Sequence, residues 1–272
     1  MRPVWHGCLD VAFTRTGDRT ALERRAARMP LALQRPFYPE GPSVCHALIL
    51  HPPGGMVGGD RLDIMLDVNE RAEALVSTPS AAKWYRGNAP ALQQVTQHLA
   101  PGARLEWLPQ ETIVFDGADV HQQLRVELAA DAVWLGWEIT RFGRSARGET
   151  FASGTWRAST EVWRGNVPLW IDRQRLDGGS RLLASAYGLN GAPVIGALAW
   201  IGRALPAELV EAARAAWKYD GDFGVTRLEH GLLCRYRGAS SADARTWFTT
   251  VWDLLRQHDG GRRACAPRIW ST

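Results

Sequence analysis

Lysine is nearly absent from this chain. Lys83 and Lys218 are the only two among 272 residues, so the net charge of +4 is carried almost wholly by arginine. Arginine is the residue of forked and stacked contacts and is enriched at protein interfaces. No dense basic stretch interleaved with aromatics accompanies it, and Arg24-Arg25 with Arg28 comes nearest. The usual electrostatic footprint of a nucleic-acid binder is therefore missing. Cysteine is scarce too. Cys8, Cys45, Cys234 and Cys265 stand far apart with no C-x-x-C pair, which fits a reducing compartment rather than a disulfide framework. The longest apolar run, around Ala192 to Ile201, is too short to span a bilayer, and Met1 to His6 carry no apolar leader core. The expectation is a cytoplasmic protein with no membrane segment.

Catalytic signatures are missing as well. The seven histidines include no H-E-x-x-H and no helical i, i+4 pair, and no G-x-S-x-G occurs. The glycine-rich stretch His51-Pro52-Pro53-Gly54-Gly55-Met56-Val57-Gly58-Gly59-Asp60 lacks the Lys-Ser/Thr of a phosphate loop and runs into strand-like alternation rather than a helix. It reads as a sharp corner between two strands, because proline fixes φ while glycine tolerates positive φ and close backbone approach.

What is present points to a soluble protein rich in β-structure. Hydrophobic residues make up 46% and charged residues 22%, the balance of a globular protein. Thirteen tryptophans recur along the chain and suit pleated surfaces and interfaces, so the sequence predicts a β protein with partners and poor solubility alone. Cys45–Leu50 reads as a strand, as does the alternating set Leu62, Ile64, Leu66 and Val68. A repeat follows. Val68-Asn69-Glu70-Arg71-Ala72, Leu99-Ala100-Pro101-Gly102-Ala103 and Leu128-Ala129-Ala130-Asp131-Ala132 each join two strands, and their first residues lie 31 and 29 apart. A period near thirty predicts stacked β layers, a β-helix-like pile of many short strands. Further strands are predicted over Leu124–Leu128, Val133–Ile139, Phe151–Trp163, Val167–Leu176, Leu182–Ser185 and Val194–Ile201.

Beyond residue 203 the period changes. Pro206 stands at a helix start before Leu209, Ala213, Ala216 and Trp217. A hairpin, Gly224–Leu228 with Leu232–Tyr236, separates this helix from a second one. Ser240 with Asp243 forms a capping box for that helix, and Ala244, Trp247, Val251, Leu254 and Leu255 form its apolar stripe. The reading is one domain: a β stack over 1–203, two helices and a hairpin over 204–260, and a loose tail over 261–272.

Candidate chemistry is spread thinly. Cys45, His46 and His51 flank one strand and its corner and offer soft ligands for a weakly held divalent ion. Neighbouring strand positions face opposite ways, however, and packing at the strand end competes with that role. Carboxylates gather near the glycine-rich corners: Asp60, Asp63, Glu106, Glu111, Asp116, Glu138, Glu149 and Asp177. Two of them facing each other across a cleft would make a glycosidase. Loop caps and pairs with arginine account for them equally well.

Several phrases together then carry a family resemblance. They are Gln34 to Gly41 (QRPFYPEG), His51 to Leu62 (HPPGGMVGGDRL), Thr78 to Arg86 (TPSAAKWYR) and Leu105 to Ala118 (LEWLPQETIVFDGA), with Gly136-Trp137-Glu138-Ile139, Gly143 to Glu149 and Leu176-Asp177-Gly178-Gly179 beyond. In this order they resemble the urease accessory protein family UreD, called UreH in some organisms, over about Leu9 to Ile201. Where the family has Gly and Thr before its lysine, this chain has Ser80 and Ala82, which sets aside a hydroxyl role at 82.

The resemblance implies a β-helical stack with two helices and a scaffold without catalysis or a tightly bound cofactor. It implies a complex with UreF-like and UreG-like (GTPase) partners that docks on the urease apoprotein and lets nickel(II) pass in transit through an internal tunnel. Nickel in transit needs ligands weak enough to release it, so scattered carboxylates suit a conduit better than a closed site. Asp60, Asp63, Glu111, Asp116, Glu138, Glu149 and Asp177 are the tunnel or docking candidates under this reading. Lys83, Trp84, Tyr85, Arg86 and Arg144 are the partner-contact candidates. The competing class is a β-helical carbohydrate-active lyase or hydrolase with paired carboxylates.

Overall fold

The computed structural model describes residues 4–144 and 147–271. Ser145 and Ala146 of the quoted 143–149 phrase, and Thr272 of the tail, lie outside the described residues. The chain is mainly β with two helices near its C-terminal end.

In chain order the strands are β1 (His6–Thr16), β2 (Arg19–Arg28), β3 (Ala32–Leu33), β4 (Val44–Leu50), β5 (Met56–Val57), β6 (Arg61–Val68), β7 (Glu73–Ser77), β8 (Ala82–Tyr85) and β9 (Ala91–Leu99). They continue as β10 (Arg104–Leu108), β11 (Thr112–Val114), β12 (Asp119–Leu128), β13 (Val133–Phe142), β14 (Thr155–Arg164), β15 (Val167–Asp177) and β16 (Val194–Ile201). Helix α1 (Ala207–Ala215), the hairpin β17 (Asp222–Leu228) and β18 (Gly231–Gly238), and helix α2 (Ser241–Gly260) follow.

From β6 to β14 the long strands alternate between two sheets, and within each sheet successive strands run parallel. The first sheet has seven strands in the order β15-β14-β12-β9-β6-β1-β2, antiparallel only at its two edges. In the second, of eleven strands, β4, β7, β10 and β13 run parallel, and β16, β18 and β17 extend it antiparallel.

The thirty-residue repeat is the turn between sheets. Ala72, Ala103 and Ala132 end their turns fully buried. Their backbones ladder, with the Arg104 N–H donating to the Ala72 carbonyl at 2.9 Å and the Val133 N–H to that of Ala103 at 3.0 Å. Each turn sits against the next with room for one methyl group, which is why alanine recurs there.

One apolar core lies between the sheets, and a second lies between the outer face of the eleven-stranded sheet and the helices. That sheet is therefore covered on both faces, and its strands read as continuous apolar runs rather than alternating ones. The stripe of α2 is buried through Trp247, Phe248, Val251, Trp252 and Leu255, and the Ser240 hydroxyl accepts from the Asp243 N–H as the capping pattern predicts. Tryptophan serves these cores rather than partner surfaces: Trp84, Trp134, Trp137, Trp247 and Trp252 are all fully buried.

The arginine-rich stretch to Arg28 forms an exposed edge strand whose alternation is masked because both faces are polar. Two expectations are corrected. Leu182–Ser185 begins in a short 3-10 turn (Arg181–Leu183), not a strand. The tail after Gly261 is not loose. Trp270 packs on Trp137 at 5.4 Å and donates to the Ser77 hydroxyl at 3.0 Å, and Arg262 pairs with Glu73.

The glycine-rich corner brings backbones together. A Cβ on Gly58 would lie 2.3 Å from the Ala89 carbonyl oxygen and 2.7 Å from the Cα of Gly87. Both neighbours are backbone, so neither can swing away. Gly58→Ala is expected to cost about 1–3 kcal/mol, read as a lower urea midpoint with an unchanged m-value.

Candidate functional site

Residues on the inner face of β13 interrupt the core. Trp134 and Phe142 bound that face and pack in the inter-sheet core, whereas Gly136, Glu138 and Thr140 between them are small or polar. Opposite stand Gln93 of β9 and Gln122 of β12, paired in register, with the Gln122 amide donating to the Gln93 oxygen at 3.2 Å. Trp156 of β14 donates to the Gln122 oxygen at 3.1 Å. A core built of aliphatic side chains would close here. Instead a cavity of about 370 Å³ lies between the sheets, reaching from the corner residues His51 to Met56 inward to Glu138. A second hollow of about 590 Å³ shares Glu138, Thr140 and Trp156 as its inner wall and extends toward Tyr187, Asp222, Phe223 and Arg235. The two hollows meet at Glu138.

Glu138 is part-buried between the two hollows, and among the described residues its hydrogen-bond partner is the Thr160 hydroxyl, which donates to Oε2 at 3.1 Å. Burial pushes its carboxyl up to about 7; the Thr160 hydrogen bond opposes this and the negative charge of Asp172 adds to it. Among the described residues no cation pairs with Glu138, and a carboxylate so placed, partly withdrawn from water, is poised to take a proton or a metal cation.

The other predicted carboxylates sit elsewhere, each with a structural partner. Asp60 is buried at the corner, its two oxygens accepting from the Trp5 and Val57 N–H groups at 3.0 Å each. Asp63 lies on the outer face of the seven-stranded sheet, between Arg61 and His6. Glu111 pairs with Arg245 of α2. Asp116 accepts from the Ala152 and Ser153 N–H groups at 2.8 and 2.7 Å and caps that loop, while Glu149 pairs with Arg144. Asp177 takes Arg175 and the Thr155 hydroxyl. Of the seven, Glu138 alone lines the two hollows.

Among the partner-contact candidates, Trp84 is corrected. It is 1% exposed and part of the inter-sheet core, because β8 turns it inward. Lys83 and Arg86 are exposed, and Lys83 reaches the mouth of the cavity beside Gly55. Tyr85 stacks edge-on against Phe115 at 4.7 Å, and Arg144 lies over the same ring at 4.9 Å.

The trio Cys45, His46 and His51 does not converge. Cys45 faces the inter-sheet core, where burial pushes its thiol up to about 11 despite contacts with Tyr38 and Arg19. His46 faces the other way, hydrogen-bonded through Nε2 to Glu40 at 2.7 Å, and His51 lines the cavity.

Similarity to known proteins shows what kind of protein carries these hollows. A family model described as UreD urease accessory protein matches residues 6–271. The chain belongs to the UreD urease accessory protein family. Among its relatives, the urease accessory protein UreD of Nostoc punctiforme is 52% identical over 267 residues, covering 98% of this chain and 96% of that one. The protein of the same name in Trichormus variabilis is 52% identical over 269 residues with the same coverage. That of Dechloromonas aromatica is 44% identical over 275 residues, covering 99% and 96%. Urease accessory proteins are not catalysts, so the chain is not an enzyme and the carbohydrate-active alternative falls away.

Sequence reasoning did not single out Thr160, Gln93 or Gln122. The available signal was polar residues at inward positions of otherwise apolar strands, and it is readable only once the register is known.

Proposed function

We propose that this family member serves urease maturation as a scaffold and nickel conduit, with nickel(II) as cargo passing between the two sheets by way of Glu138. UreF-like and UreG-like proteins and the urease apoprotein are the partners under this reading. The observation that carries it is the part-buried Glu138 carboxylate, paired with no cation among the described residues, where two hollows meet. Side-chain amides and hydroxyls along the way offer oxygen ligands that hold nickel weakly and release it, as a multi-site conduit requires. Lys83 and Arg86 stand at the corner end, where a partner would deliver the ion.

The test is reconstitution of urease from apoprotein, the two partner proteins, GTP, bicarbonate and nickel(II). Urea hydrolysis should rise well above background only when this chain is added. Equal activity without it would remove the reading. The pH dependence is a second check. Glu138 must be ionised to hold a cation, so the chain-dependent part of activation should fall as pH drops from 8 through 7 to 6. A flat profile over that range would remove Glu138 from the path.

A further inference from the structure

A cluster on the outer face of the seven-stranded sheet has ligand chemistry that the passage does not use. Strands β1 and β6 run parallel there, with His6 beside Arg61 and Cys8 beside Asp63. His6 and Cys8 are two residues apart on one strand, so their side chains project to the same side, and Asp63 joins them from the neighbouring strand. The result is that His6 Nε2 lies 3.5 Å from Cys8 Sγ and 2.5 Å from the Asp63 carboxylate, with all three ligand atoms within 4.8 Å of one another. Sheet hydrogen bonding fixes the three backbones, so the set is preorganised.

We propose that His6, Cys8 and Asp63 form a surface site for a borderline divalent cation of the nickel, cobalt and zinc class. Imidazole and thiolate together select those ions over magnesium or calcium, which demand oxygen ligands. The geometry suits the class. Around an ion bound at about 2.0 Å by nitrogen and about 2.3 Å by sulfur, tetrahedral angles separate the two ligands by about 3.5 Å. The His6–Asp63 pair must open by about 1 Å. Three protein ligands on an exposed face leave a position for water or an incoming ligand, so the site exchanges its ion rather than locking it in.

Two cations face the cluster and set its strength. Arg28 donates to Cys8 Sγ at 3.3 Å, and Arg61 donates to both Asp63 oxygens at 3.0 and 2.9 Å. They hold the thiol and carboxylate in place, and a divalent ion has to take over their role. A second cluster, Glu40, His46 and Cys265, lies under α2. There Arg256 already lies against Glu40, ion-paired and nearly buried, which bars a metal. The outer cluster is the open one, and it stands independently of the inter-sheet passage.

The experiment titrates the full-length chain with cobalt(II), and then nickel(II), following the thiolate-to-metal charge-transfer band in the near ultraviolet. The band is expected in the unaltered protein and in Cys265→Ser, and should be lost in Cys8→Ser, with binding weakened at least about tenfold in His6→Ala. Arg28→Gln removes a competing charge and should tighten binding by about threefold or more, a change that a purely structural role for Arg28 would not produce. Cys8 lies on an exposed face, so an unchanged thermal midpoint in Cys8→Ser would confirm that the loss is of a ligand and not of the fold. Absence of the band in the unaltered protein, or its loss with Cys265 rather than Cys8, would overturn the assignment.

Discussion

Glu138→Gln is expected to reduce the chain's contribution to urease activation by about tenfold or more, the scale of losing an important ligand contact, while the protein stays folded and becomes more stable at pH 8. Gln keeps the shape and can still accept from Thr160, but it presents no charge to a cation. The stability change has a definite sign. Folding raises the Glu138 carboxyl from its ordinary 4.5 to about 7. Between those values the folded chain holds a proton that the unfolded chain has released, so stability falls as pH rises through this window. Above it the charge, only partly withdrawn from water, costs on the order of 1–3 kcal/mol, and the glutamine variant is free of that cost. Thermal midpoints should therefore favour Glu138→Gln at pH 8 and converge with the unaltered protein near pH 4.5. Function and stability would move in opposite directions, as at a residue kept for its charge at a cost in stability. Unchanged activation would strike Glu138 from the proposed passage, and equal midpoints at both pH values would show that its carboxyl is solvated rather than buried.

Particular residues show how far sequence alone reached. The alanines at 72, 103 and 132 disclosed the stacked turns because a turn packed against its neighbour admits only a methyl, leaving a mark at fixed spacing. Ser240 with Asp243 disclosed the start of α2 because a cap is a local device. The site was much less legible. Seven carboxylates were credible, and only the inter-sheet register sends Glu138 into the hollow while Asp60, Asp116 and Asp177 are taken up by nearby backbone, hydroxyl and guanidinium groups. A sequence shows that a residue is acidic, whereas its function depends on whether a cation or an N–H meets it, and those partners come from distant strands. The pairing of Glu111 with Arg245, across 134 positions, is of that kind. The outer-face cluster escaped for a different reason. Histidine ligands are sought at helical i, i+4 spacing, whereas a strand brings ligands together at i, i+2 and across to its neighbour.

The second large effect concerns the attachment of α2 to the β layers. Arg256→Met is expected to lower stability by about 3–5 kcal/mol at pH 7, measured by urea denaturation. The Arg256 guanidinium reaches Glu106 of β10 through Nε at 2.7 Å and a second nitrogen at 2.9 Å, and Glu40 of the proline-rich segment at 3.0 Å. It also donates to the Arg263 carbonyl at 2.7 Å, fastening the tail. Its side chain and that of Glu40 are each under a tenth exposed, so screening by water is slight. Methionine keeps much of the stem's packing but strands two carboxylates with little solvent. Arg256→Lys should recover only part of the loss, since an ammonium cannot fork between two carboxylates. A pH series separates charge from packing. Burial pushes the Glu40 carboxyl up, but hydrogen bonds from His46 and Arg256, with their charges, outweigh it and hold it at about 2. A depressed folded-state value means that Glu40 adds stability above the ordinary glutamate range, and this is lost as pH falls toward 2. In Arg256→Met that depression is largely gone, and acid neutralises the stranded carboxylates. The gap between the two proteins should therefore narrow from pH 7 to pH 4. A gap of constant size would mean that lost van der Waals contact, not the unpaired charge, carries the cost.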